Sequence, residues 1–68
     1  MNKQALLRKM REQGISVSAM YKALNISRSA FYRKCNGKSE FTLREIKQIL
    51  EILGEKNPNE IFFTAEVS

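Results

Sequence analysis

Between Ser16 and Asn36 the chain has room for two short helices and one sharp turn, and for little else. Val17, Met20, Tyr21 and Leu24 recur at i, i+3, i+4 and i+7, which puts them on one face of a helix running from Val17 to Leu24. Ser16 stands where an N-cap is needed. Asn25 follows, and Asn tolerates the left-handed backbone that a sharp turn demands better than most residues. Ile26 then plugs the turn into a core. Ser27 caps a second helix, Arg28 to Cys35. Phe31 and Cys35 lie one turn apart and face inward with Ala30, which leaves Arg28, Ser29, Tyr32 and Arg33 outward. Asn36-Gly37 stops that helix.

The flanking sequence reads the same way. A first helix runs from Lys3 to Gln13, with Asn2 as N-cap, Leu6, Leu7 and Met10 as its apolar stripe, and Gly14 as its stop. Ile15 re-enters the core. A fourth helix runs from Leu43 to Leu53, with Thr42 and Glu45 at capping-box spacing and Leu43, Ile46, Ile49, Leu50 and Leu53 as a broad apolar face ended by Gly54. A short fifth helix is expected after Asn57, with Pro58 in its first position and Glu60 closing a second capping box. Ile61, Phe62 and Phe63 follow, and of the two adjacent Phe side chains one is left for a partner. The last residues are expected to fray. The expectation is an all-α fold of five helices in one domain, residues 1–68, with no repeat, linker or low-complexity tract.

Composition narrows the function. The chain has one Cys and no His. That removes disulfide frameworks, Cys/His zinc sites and His-based catalysis within one chain, so no enzyme, metal or cofactor is expected. A single Cys suits a reducing cytoplasm, and no apolar run suggests a membrane span or signal peptide. Charge is unevenly placed. Residues 1–38 carry nine basic side chains and one acidic, a net of +8, and residues 39–68 carry three basic and six acidic, a net of −3. One end of the chain is suited to a polyanion.

Two crossed helices with polar side chains at the start of the second are the requirements of a DNA-binding helix-turn-helix, in which the second helix enters the major groove. Arg28 and Arg33 have the fork that binds O6 and N7 of guanine. Ser29 bonds several bases, and Tyr32 offers a hydroxyl or a ring for a thymine methyl. The helix starts at Ser16 and Ser27 present N–H groups to phosphates. Asn36, the Gly37 backbone and Lys38 make a second clamp, which Thr42 and Arg44 extend.

Residues 14–38 resemble the Cro/CI-type, lambda-repressor-like family of phage regulators. The resemblance lies in Ile26-Ser27-Arg28-Ser29-Ala30-Phe31-Tyr32-Arg33 followed by Asn36-Gly37-Lys38, and more loosely in the whole chain. It implies a transcriptional regulator that binds operator DNA as a dimer, without enzymatic activity. It also implies base-reading positions at Ser27, Arg28, Ser29, Tyr32 and Arg33 and a phosphate loop at Asn36, Gly37 and Lys38. Four features depart from the family. Tyr21 replaces an Ala at the helix crossing, so its ring must turn outward or tilt the helices. Val17 replaces a Gln that reaches phosphate, leaving only backbone there. Asn25 replaces the turn Gly. Lys34-Cys35 replaces an apolar-then-Glu pair, which gives Cys35 the inward role. The expected partner is double-stranded operator DNA, bound by a homodimer that is weak or monomeric when free, in the cytoplasm, with no membrane or small-molecule substrate. The competing reading is a protein-interaction module, such as an antitoxin or anti-repressor, that uses the acidic, aromatic C-terminal half.

Overall fold

A computed structural model describes residues 2–57 and 59–62. Four helices form where apolar periodicity and caps coincide: α1 Lys3–Gln13, α2 Val17–Ala23, α3 Arg28–Cys35 and α4 Leu43–Leu53. Among the described residues there is no strand. Of the fifth helix expected from the sequence the described residues hold one helical turn, Asn59–Phe62, so the count of five full helices is not met. Pro58, expected in its first position, the Glu60 side chain, Phe63 and the frayed end lie outside the described residues.

Each of the four helices begins on a side-chain oxygen. Asn2, Ser16, Ser27 and Thr42 accept from the N–H groups of Ala5, Ala19, Ala30 and Glu45, the third helical residue in each case, which satisfies one orphan donor at each start. Thr42 and Glu45 close the expected capping box, with Thr42 N–H donating to Glu45 Oε1 at 2.9 Å. Each helix also ends on the same pair of backbone bonds around a left-handed residue. After α2 that residue is Asn25, at φ +60°. Its N–H donates to the Lys22 carbonyl, and the Ile26 N–H donates to Tyr21. The helix therefore stops at Ala23, one residue earlier than its apolar pattern suggests, because Leu24 is already the cap.

One contiguous core holds the helices together. Leu6, Met10, Met20, Phe31, Ile49 and Ile61 are completely or almost completely buried in it. Tyr21 and Val17 are half-buried against its edge, so the ring at the α2–α3 crossing neither fills the core nor leaves it. Phe41, in the loop between α3 and α4, is a core residue that helical periodicity could not reveal. Its ring meets Phe31 edge-on at 6.2 Å and Phe62 at 5.8 Å. The terminal turn is tied back to the start of α1 by Asn2 N–H donating to the Ile61 carbonyl at 2.6 Å.

The expected apolar face of α4 needs one correction. Leu43 is 77 % exposed, while Glu45 is buried. At about 100° per residue Leu43 points well away from the line through Glu45, Ile49 and Leu53. The inward position in the first turn is therefore taken by a carboxylate, which Lys34 neutralises. Lys34 Nζ reaches Glu45 Oε1 at 2.6 Å and Oε2 at 2.8 Å. Lys9 bonds Glu55 at 2.9 Å with little exposure.

Candidate nucleic-acid interface

The candidate site is the face of α3 turned away from the core. Phe31 and Cys35 point in, and with 100° between successive residues Ser29 and Arg33 point out. Both are exposed, and the Arg33 guanidinium has no hydrogen bond or ion pair among the described residues. A guanidinium with no internal partner, on a helix anchored by a fully buried Phe, is free to bond in solution or to a base edge.

Arg28 and Tyr32 lie one turn apart on the flank of this face. The Arg28 guanidinium sits over the Tyr32 ring, 5.8 Å from its centroid. The same ring meets Phe31 edge-on at 5.7 Å and is half-buried. Tyr32 is thus less open than its expected outward placement. Its ring is a platform between the core and Arg28, and such a stack at an exposed site contributes about 0.5–1 kcal/mol. Ser27 is exposed, and its hydroxyl oxygen accepts from Ala30 at 3.0 Å, which holds the residue at the helix start and leaves its O–H as a donor.

The phosphate positions divide into two kinds. At Ser16 the hydroxyl caps Ala19 and the carbonyl takes Met20 N–H, so the Val17 and Ser18 N–H groups have no partner among the described residues. Arg28 and Ser29 stand in the same relation to Ser27. Neither helix has an acidic residue in its first turn, and nor does α1, whereas α4 has Glu45. The positive ends of the first three helices are therefore left without a carboxylate of their own turn. Beyond α3 the situation is reversed. The N–H groups of Asn36, Gly37 and Lys38 all donate to carbonyls of α3, those of Tyr32, Lys34 and Arg33. The Gly37 backbone is thus engaged in ending the helix at φ +82°, and the donors left at this corner are side chains. Thr42 and Arg44 are exposed and line a shallow cleft of about 440 Å³ with Asn25 and Ile26, beside the turn between α2 and α3.

Two groups behind this face were not legible as site residues. Lys34 stands on the inner flank of α3 and pins it to α4 through Glu45. Burial pushes the Glu45 carboxyl up, but hydrogen bonds from Lys34 and Thr42 and the Lys34 charge outweigh it and hold the group below the ordinary carboxylate range. The available signal was a Lys on an otherwise inward side of α3 with a Glu at the start of the next helix. Cys35 fills the small inward role expected of it, and burial pushes its thiol up to about 11, with the Lys3 ammonium opposing only in part. The thiolate is the reactive form. At pH 8 the folded chain should therefore label with a thiol reagent far more slowly than the chain in denaturant, as mass spectrometry over time would show. Equal rates would mean that Cys35 is not buried in solution.

Among the described residues no helix is long and apolar enough to cross a membrane, and no cluster of potential metal ligands is found. No curated protein and no solved structure matches the chain. A family model does match, that of the helix-turn-helix domain of resolvase, over residues 1–38. The match takes in α1, the capped turn and the whole of α3, more than half of the chain, and it does not single out the Cro/CI type. On this finding the chain belongs to the family of resolvase-type helix-turn-helix DNA-binding domains.

Proposed function

We propose that this chain is a sequence-specific regulator of transcription, of the Cro or short-repressor type, which places α3 in the major groove of an operator. The observation that carries this reading is the free, exposed Arg33 beside Ser29 on a helix whose opposite side is fully buried. Arg28, braced on Tyr32, is the second base-reading Arg, with Ser27 and Ser29 beside it. Ser16, Asn36, Lys38, Thr42 and Arg44 surround α3 with phosphate donors. The chain acts in the cytoplasm without catalysing a reaction, and as two copies related by the symmetry of a palindromic site. The lambda-repressor-like arrangement is the fold this reading favours.

Selection of bound sites from random duplex DNA tests it. A palindrome with half-sites about one helical turn apart supports both the function and the pairing. On the selected site Arg33→Ala should weaken binding by about 1–3 kcal/mol and relax base preference at one position. Lys38→Ala should weaken all sequences alike and flatten the salt dependence. If both variants bind every duplex as the parent does, this pose of α3 is wrong. The family match favours one second reading, in which the same domain is the DNA-holding part of a resolvase-type protein. A change in transcription from a promoter carrying the selected site would distinguish a regulator from that.

A further inference from the structure

Lys3 belongs to α1, yet its ammonium reaches the far end of α3. Nζ donates to Asn36 Oδ1 at 3.0 Å across 33 positions of sequence. That bond orients the Asn36 amide: with Oδ1 turned to Lys3, Nδ2 faces the other way as a donor. Since the backbone N–H groups of Asn36, Gly37 and Lys38 are engaged within α3, this corner presents the Lys3 ammonium, the Asn36 Nδ2 and the exposed Lys38. Lys9 and Lys34 each hold a Glu, whereas Lys3 and Lys38 have no carboxylate within ion-pair distance among the described residues.

The position of Lys3 on its own helix is a second, independent indication. Lys3 is the first residue of α1, and α1 has no acidic residue in its first turn. A cation there is repelled by the positive end of the helix. Asn2 accepts from Ala5 and Leu6, so the Lys3 and Gln4 N–H groups add to the same positive end without a partner among the described residues. An ammonium, an amide donor and an uncompensated helix start together suit a group with several anionic oxygens.

We propose that Lys3 is a phosphate contact to duplex DNA, made with Asn36 Nδ2 and Lys38 beside the end of the recognition helix. This rests on the DNA-binding reading above, and it adds α1 to the bound surface. The contact fixes where α3 lies along the groove and carries no base preference of its own.

Lys3→Gln and Lys3→Arg test it by fluorescence anisotropy on the selected duplex and on a scrambled one, over a range of salt. Gln keeps an N–H donor on a side chain one bond shorter and lacks the charge. Lys3→Gln should weaken both duplexes by the same factor, roughly two- to tenfold at moderate salt, and lower the slope of log K against log salt by about 0.9. Lys3→Arg should keep the parent slope. A Lys3→Gln slope equal to the parent's overturns the inference even if affinity falls, because a purely structural tie does not change the number of released ions. If the parent itself shows no salt-dependent binding to either duplex, the DNA reading fails and this inference with it. If the parent binds and Arg33→Ala loses base preference while the Lys3→Gln slope is unchanged, only the inference fails.

Discussion

Phe31→Ala is expected to leave most of the chain unfolded at room temperature. Phe31 is the largest fully buried side chain among the described residues, and its ring meets Tyr32 on its own helix and Phe41 in the following loop. Removing it opens a cavity at the centre of the core, and such truncations cost about 3–5 kcal/mol. A core in a chain this short rarely supplies more than about 3–5 kcal/mol in total, so the loss is comparable with the whole stability. Circular dichroism should show strongly reduced helix content at 25 °C and no cooperative melt near that of the parent. A melting point within a few degrees of the parent would mean that Phe31 is not the keystone the structure shows. The variant should also lose DNA binding on every sequence, unlike Arg33→Ala, because the surface that displays Arg33 would be gone.

Glu45→Ala should also be strongly destabilising. It strips the partner from Lys34, whose side chain is only 15 % exposed, and removes the acceptor for Thr42 N–H. Unpairing a buried charge costs about 3–5 kcal/mol, and this pair lies at the lower end because it keeps some contact with water. The remedy is not restoring the charge but removing both. Lys34→Met with Glu45→Gln leaves no ion to desolvate and keeps an oxygen for Thr42, so the double variant should be more stable than Lys34→Met or Glu45→Ala alone. The pair also sets a pH dependence. The folded carboxyl lies below its unfolded value, so its contribution is present above the ordinary carboxylate range and is lost as pH falls through the folded pKa. Denaturant melts from neutral to acid pH should show this loss in the parent and a shallower one in Glu45→Gln. Equal pH profiles would mean that Lys34 and Glu45 do not interact in solution.

The parts legible in the sequence are those governed by neighbours along the chain. Caps at Asn2, Ser16, Ser27 and Thr42 and the left-handed Asn25 depend on local backbone chemistry, and the structure has each where the residue pattern predicts it. The outward placement of Arg28, Ser29 and Arg33 on α3 followed from periodicity alone. What escaped was decided by contacts across the chain. Phe41 sits in a loop with no periodic neighbours, so nothing local marks it as core. Leu43 looked apolar-inward until the partner of Glu45 was known. Tyr32 was expected to face out, but Phe31 and Arg28 enclose its ring from two sides. The Gly37 backbone looked open to a ligand, and the helix ending uses it. Lys3 is 33 positions from Asn36, so no spacing rule connects them.

The two stops on α3 limit how much information the domain can take from DNA. Ser27 and Gly37 confine it to eight residues, or about 12 Å of helix. At 3.4 Å per base pair, that length lies alongside only about three or four steps of a duplex. A word of that length recurs every few hundred base pairs at most, so a single copy would find its match throughout any genome, where specificity is set by site frequency as well as affinity. A longer address must come from reading two such words at a fixed spacing. The brevity of one helix is thus a further ground for the proposed pairing of two copies of the same chain.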